Sequence, residues 1–241
     1  MKLYKLDAIG STNQYLKQLN AKIEQENFTV VSANFQYSGK GQSTNKWISK
    51  VGKNLLFSIL IKFDDLFIEK SAYLNFAIAI GIYNVLINYL PQTKIKWPND
   101  IMAENNKICG ILIENSVRDV KIKHSIVGIG LNVNQFLFSD DLTNVTSLKK
   151  ELNKNFDRGL LLNDLINSIR KQILRLENNS FSQLKMDYEK VLFKKKRPSM
   201  FIANNKQFMG KIKGVSVIGL LQIELENGVV EEFANKEVGY L

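Results

Sequence analysis

The stretch Leu55–Phe63 sets the first constraint on this chain. It is almost unbroken apolar sequence, too short to span a bilayer and of the right length for a strand. Counted from Asn54, it reads as a β-strand. Glu69–Tyr89 follows, where Leu74, Ala77, Ile78, Gly81, Ile82, Val85 and Leu86 recur at helical spacing. Pro91 helps to stop that helix. A buried strand followed at once by an apolar helix calls for a packed core with both element types.

The flanking segments extend the pattern. Ser11-Thr12-Asn13-Gln14 reads as a helix start, with Ser11 and Gln14 at capping-box spacing and Leu16, Leu19 and Ile23 following at helical intervals. Phe28–Tyr37 alternates and is rich in β-branched and aromatic residues, which predicts a strand. Ser38–Lys53 is polar, contains three glycines and reads as a long loop, a type that often carries function. Three short strands are expected at Thr93–Trp97, Cys109–Ser116 and Ser125–Asn132, separated by turns at Asn105-Asn106 and Arg118-Asp119. Gly159–Glu177 and Phe181–Phe193 read as helices. The charge run Lys194–Arg197, ended by Pro198, is a plausible boundary and otherwise a solvated linker. Beyond it, Gly210, Gly214, Gly219 and the hairpin signal Asn227-Gly228 punctuate short strands. The expected division is 1–194 and 195–241.

Bulk properties narrow the function classes. At 241 residues, 45% hydrophobic and 23% charged, the chain has the balance of a soluble globular protein. Its net charge of +10 suits nucleic acid, anionic small molecules or acidic partners, and does not choose among them. The N-terminus lacks an apolar core of signal-peptide length, and the single cysteine, Cys109, cannot form an internal bridge, so a cytoplasmic location is expected. With one histidine, His124, and one cysteine, the usual zinc sites are excluded. Neither a Walker A string nor Gly-x-Ser-x-Gly occurs. Cys109 lies in an apolar run and reads as buried and inert.

Four segments carry candidate chemistry. In Gly39-Lys40-Gly41-Gln42, running on to Trp47, the glycines would let backbone N–H groups turn towards an anion, with Lys40 adding charge. Alone, it is equally an ordinary surface turn. In Lys96-Trp97-Pro98-Asn99-Asp100, Pro98 ends a strand and brings Lys96 near Asp100: a phosphate-neutralising lysine beside a carboxylate able to hold Mg²⁺ or steer an amine, or else a surface ion pair. In Lys107–Glu114, a lysine opens an apolar strand and Gly110 marks a close approach, by a ligand or by packing. In Gly128-Ile129-Gly130-Leu131-Asn132, two strand glycines and Asn132 suit either the approach of a nucleotide or simple strand packing, and the string is not a Rossmann fingerprint.

The four segments occur in this order within about 120 residues, and together they resemble the catalytic domain of biotin–protein ligases. That family carries Ser-Thr-Asn near the domain start, a Gly-Arg-Gly-Arg type loop ending in Trp, Lys-Trp-Pro-Asn-Asp, Lys-(Leu/Ile)-x-Gly-Ile-Leu and Gly-Ile-Gly-x-Asn. The most specific part is Lys96–Asp100 with Lys107 eleven positions after Lys96. The resemblance implies an α+β fold: a mixed or antiparallel sheet flanked by helices, like the class II aminoacyl-tRNA synthetase catalytic domain, with a small C-terminal SH3-like β-barrel. It implies ATP-dependent activation of biotin to biotinyl-5'-AMP and transfer to a lysine of a biotin carboxyl carrier protein.

The resemblance also implies roles. Ser11, Thr12, Asn13, Gln36, Lys40, Gly41, Gln42, Lys107 and Gly110 would bind biotin. Gly39, Lys40, Trp47, Lys96, Asn99, Asp100 and Asn132 would meet ATP or the adenylate, with Mg²⁺ near Asp100. Lys96, Asp100 and Lys107 would be catalytic. The family's loop arginines are replaced here by Lys40 and Gln42, and its third glycine by Thr44, which bears on how tightly the intermediate is held. An N-terminal DNA-binding segment is not expected, nor a DNA or membrane partner, and the protein would act as a monomer or homodimer. Two other readings stand beside this one. A lipoate–protein ligase would show Arg-Arg…Gly-Gly-Gly and a His-Asp pair, which are absent. A nucleic-acid-binding protein would cluster its lysines, which are scattered here.

Overall fold

The computed structural model describes residues 2–42, 45–140 and 142–241. Its larger sheet has seven strands: β1 (Leu3–Ile9), β2 (Val30–Gln36), β3 (Leu55–Phe67), β4 (Thr93–Lys96), β5 (Asp100–Ala103), β6 (Asn106–Arg118) and β7 (Lys121–Leu131), in the order β1-β2-β3-β7-β6-β5-β4. Only β1 and β2 are parallel, and helix α1 (Thr12–Lys22) crosses between them. All other neighbours are antiparallel. β3 lies inside the sheet and is buried along Leu55–Ile61, which explains its unbroken apolar run.

The two faces differ. One carries α2 (Ser71–Leu86), α4 (Arg158–Glu177) and α5 (Phe181–Lys190) over the main core. There α2 and α4 approach until a side chain at Gly81 would come within 2.8 Å of the Ile169 Cα. The other face carries α1, whose Leu16 packs with Val31, Leu60 and Ile126. A short helix α3 (Leu148–Leu152) follows the long loop after β7.

Several expectations change at this level. The helix expected over Glu69–Tyr89 is shorter and enters through a 3₁₀ turn, Ile68–Lys70. The Ser11 capping box does not form: Ser11 has the extended backbone of an N-cap, but its side chain makes no capping hydrogen bond. β1 and β5 went unforeseen, the first because it is a half-exposed edge strand of mixed polarity, the second because it has four residues. The C-terminal strands β8 (Pro198–Ala203), β9 (Lys206–Val215), β10 (Leu221–Leu225), β11 (Val230–Phe233) and β12 (Val238–Tyr240) form an antiparallel sheet ordered β11-β10-β9-β8-β12. β11 and β12 are its edges, so the barrel does not close. The Asn227-Gly228 turn lies where the hairpin signal placed it, with Gly228 at φ +81°.

Glu189 of α5 fastens this sheet to the helices. Its carboxylate sits 2.5 Å from Lys185 and 3.1 Å from Lys195, and accepts from the Val215 N–H at 3.0 Å. The charge run is therefore not only a solvated linker. Burial pushes the Glu189 carboxyl up, but the Lys185 contact, the Val215 N–H and Lys195 outweigh it and hold it below its ordinary 4.5. A depressed carboxylate stabilises the fold above its unfolded value, and that contribution is lost as pH falls through the lower folded one. Glu189→Ala is expected to cost about 2–3 kcal/mol in denaturant unfolding at pH 7, with the difference from wild type shrinking below about pH 4. A difference that stays constant with pH would show that the charge is not what holds the C-terminal sheet to the helices.

Candidate active site

The cleft is built on the α1 face of the large sheet. Gly110 of β6 lies directly opposite Gly130 of β7, and Leu112 opposite Gly128. These glycines leave part of the sheet without side chains, and other groups come down to the backbone. The Trp47 indole rests on Gly110 and Gly130: a Cβ at Gly110 would come 2.9 Å from its Cζ3, and one at Gly130 would lie inside the ring's contact distance. The Asn13 amide lies on Gly128 in the same manner.

The start of α1 supplies the polar end. Ser11, Thr12 and Asn13 are all buried. Gln36, at the end of β2, accepts from the Thr12 backbone N–H at 2.7 Å and stands 3.0 Å from its hydroxyl. The parallel pairing of β1 with β2 sets Ile9 beside Gln36, so the turn into α1 brings Thr12 to it. Ser11, Thr12, Asn13, Gln36, Lys40, Gly41, Gln42, Trp47, Asn99, Lys107 and Gly110 surround a concave cleft, the kind of site that takes a small organic ligand.

The other motif forms a hairpin. β4 and β5 pair so that Lys96 faces Asp100, and β5 pairs with β6 so that Asp100 faces Gly110. The Lys107 ammonium lies 2.6 Å from Asp100 Oδ1, an ion pair without good hydrogen-bond direction. Lys96 makes no ion pair among the described residues. It stands 4.8 Å over the Tyr240 ring, which the C-terminal sheet delivers. Burial pushes the Lys96 amine below its ordinary value; Asp100 opposes this, while Lys107 and Lys194 add to it. Lys96, Asp100, Lys107, Lys194, Asn105 and Tyr240 line a second, larger cavity, in which Asp100 is the only acidic side chain among the described residues. Lys107 borders both cavities.

Some expected roles move. Gly39 and Gly41 do not form an anion nest. Neither has positive φ, and the Gly41 N–H is bonded to Asn45 O while the Trp47 N–H bonds Gly39 O, so the loop is a small ladder. The need for glycine here is steric, since a Cβ at Gly39 would come 2.5 Å from Trp47 O. Lys40 is exposed at the rim. Gln42 Oε1 accepts from Asn235 of the C-terminal sheet at 3.1 Å. Thr44 lies outside the described residues. Trp97 is a strut: buried, it donates to Gly219 O at 2.8 Å. Asn99 donates to Ile111 O at 2.7 Å and ties the motif's turn to β6. Asn132 borders neither cavity; it is buried, and its Oδ1 has no hydrogen-bond partner among the described residues. Cys109 is fully buried and its thiol is pushed far up by burial. Ser58, Glu114, Lys194 and Tyr240 were missed. Ser58 left a signal, being the one polar residue within Leu55–Ile61.

The two cavities, one polar-ended and the other larger and cationic, share Lys107 in their walls. Residues 6–132 match the biotin/lipoate A/B protein ligase family, and the chain belongs to that family. Within it, the chain groups with the biotin protein ligases. It is 28% identical over 238 residues to the bifunctional ligase/repressor BirA of Bacillus spizizenii, covering 97% of this chain and 73% of that one. It is 28% identical over 183 residues to the biotin–[acetyl-CoA-carboxylase] ligase of Mycobacterium tuberculosis, covering 74% and 66%. Its fold superposes on the biotin protein ligase of Aquifex aeolicus in complex with biotin and ATP with a TM-score of 0.81, at 26% identity and 99% and 97% coverage.

The bare floor is directly testable. Gly130→Ala places a methyl group where the Trp47 ring lies and is expected to lift the loop. Tryptic cleavage at Lys40, Lys46, Lys50 or Lys53 should then be about tenfold faster than in wild type. Unchanged cleavage would mean that the indole contact does not hold the loop down.

Proposed function

We propose that the protein joins biotin to ATP as biotinyl-5'-AMP and then passes the biotinyl group to a lysine of a biotin carboxyl carrier protein. The observation that carries this is Lys107, which borders both cavities. A carboxylate in the smaller cavity and a phosphate in the larger would meet beside its ammonium.

Two anions must react, and their repulsion is the first barrier. Biotin would lie with its ring towards Ser11, Thr12, Asn13 and Gln36 and its carboxylate at Lys107. ATP would occupy the cavity of Lys96, Lys194 and Lys107. A carboxylate oxygen attacks the α-phosphorus, the bond from that phosphorus to the bridging oxygen breaks, and pyrophosphate leaves. Lys107 and Lys96 stabilise the added charge. In the second step the acceptor amine attacks the acyl carbon, the acyl–phosphate bond breaks, AMP leaves and the amine sheds a proton. Asp100, beside Lys107, is placed to orient that amine. The Gly39–Trp47 loop would cover the adenylate and exclude water.

Among the described residues, no three His, Cys, Asp or Glu side chains gather as metal ligands. Asp100 would be the protein oxygen for Mg²⁺ carried in by the nucleotide. The metal would add positive charge at the phosphates.

Lys107→Ala is expected to lower biotin-dependent pyrophosphate exchange by at least about 100-fold while the thermal unfolding midpoint stays close to wild type. Exchange near the wild-type rate would remove Lys107 from the carboxylate contact. Mass spectrometry after incubation with ATP, Mg²⁺ and either biotin or lipoate should show biotinyl-adenylate and no lipoyl-adenylate. Gln42→Arg restores the family's charge over the intermediate and should slow its escape severalfold in a dilution chase.

A further inference from the structure

A chain of side chains runs from β6 through the start of α1 to β2, and its proton count has a direction. Asn13 donates from Nδ2 to Glu114 Oε2 at 2.7 Å and to Leu112 O at 3.4 Å. A carboxylate and a carbonyl can only accept, so the Asn13 amide has one orientation: its nitrogen towards Glu114, its oxygen towards Ser58. The Ser58 hydroxyl, fully buried on β3, lies 2.6 Å from that oxygen and must donate to it. A hydroxyl has one proton, so Ser58 can then only accept from Thr12, whose hydroxyl is 2.7 Å away. Thr12's single proton is contested between Ser58 and Gln36 Oε1. Both hydroxyl protons are thus directed into the protein and none is left for the cavity.

We propose that Glu114 is a positioning residue: by fixing the Asn13 amide it sets the direction of the Glu114–Asn13–Ser58–Thr12 relay, so that the Thr12 end of the cavity presents oxygen lone pairs and selects a ligand with N–H donors there. This rests on the biotin reading above, in which the donors are the two N–H groups of the cyclic urea. A site built to accept a hydrogen bond strongly rejects an isostere that cannot donate it. The relay does this with neutral side chains in the cavity wall and keeps its one charge on the far side of Asn13.

Glu114→Gln tests the direction. A glutamine amide can donate as well as accept, so Asn13 is no longer held in one orientation; Ser58 can then donate to Thr12, and the Thr12 proton is left to Gln36 or to the cavity. Adenylate formation is measured with biotin and with a carbamate analogue in which one ureido N–H is replaced by oxygen. Wild type is expected to prefer biotin by about 100-fold in kcat/KM. In E114Q the preference should fall to about tenfold or less, with the KM for biotin raised about tenfold and the KM for ATP within about twofold. Ser58→Ala interrupts the relay in the middle and should lose the preference in the same way, which keeps the test open should E114Q fail to fold. A raised biotin KM with the 100-fold preference intact would mean that Glu114 merely supports the local structure, and would overturn the proposal. Absence of any biotinyl-adenylate from wild type would instead sink the functional reading itself, and the relay with it.

Discussion

The cleft depends on how closely side chains approach the backbone where Gly110 faces Gly130 on neighbouring strands. Ordinary residues there would raise the floor by the depth of a side chain. Instead the indole of Trp47 and the amide of Asn13 lie directly on the sheet, and the space above them becomes the smaller cavity. The opposite face of the same strands carries the main hydrophobic core, so the floor is backed by a rigid layer. Close packing makes such a floor a fixed reference surface. Lys107 and Asp100 then hold their ion pair against a support that does not yield.

Charge in the cleft is arranged asymmetrically. The ring end of the smaller cavity is lined by neutral polar groups, while the larger cavity gathers Lys96, Lys107 and Lys194 near Asp100. Coulomb repulsion among those ammonium groups is a standing cost that an anionic ligand relieves. Burial of Lys96 adds to this, pushing its amine below the ordinary value, with Lys107 and Lys194 acting in the same direction. The C-terminal sheet takes part through Tyr240 beneath Lys96, Gly219 on Trp97 and Asn235 on Gln42.

Elements with strong local patterns could be read from the sequence. Leu55–Ile61 and the stripe of Leu74, Ile78 and Ile82 needed only periodicity, and Gly228 only turn chemistry. Most of the cavity-lining residues were legible through their ordered motifs, and the structure gathers Ser11–Asn13, Gln36, Lys107 and Gly110 around one space. What escaped depends on register and on distant chain. β1 is half-exposed, and its mixed sequence follows from pairing on one edge only. Glu114 meets Asn13 across 101 positions, and Tyr240 reaches Lys96 from the far end of the chain. The Gly39-Lys40-Gly41 loop was misread in its geometry because glycine suits both a left-handed turn and a close approach, and only the fold decides which. Asn132 follows the last residue of β7 and borders neither cavity.

The resting place of Trp47 also has a spectroscopic consequence. The chain has two tryptophans. Trp97 is buried in the core with its N–H held by Gly219 O, so its surroundings are fixed. Trp47 lies on the cleft floor with the Lys107 ammonium 5.7 Å from its ring centroid and its own N–H without a hydrogen-bond partner among the described residues. Its emission therefore reads a local field that changes whenever an anion pairs with Lys107 or the loop shifts. The protein carries a native fluorophore in the wall of its smaller cavity, beside the lysine that both cavities share, and filling the cleft can be followed in solution without a label.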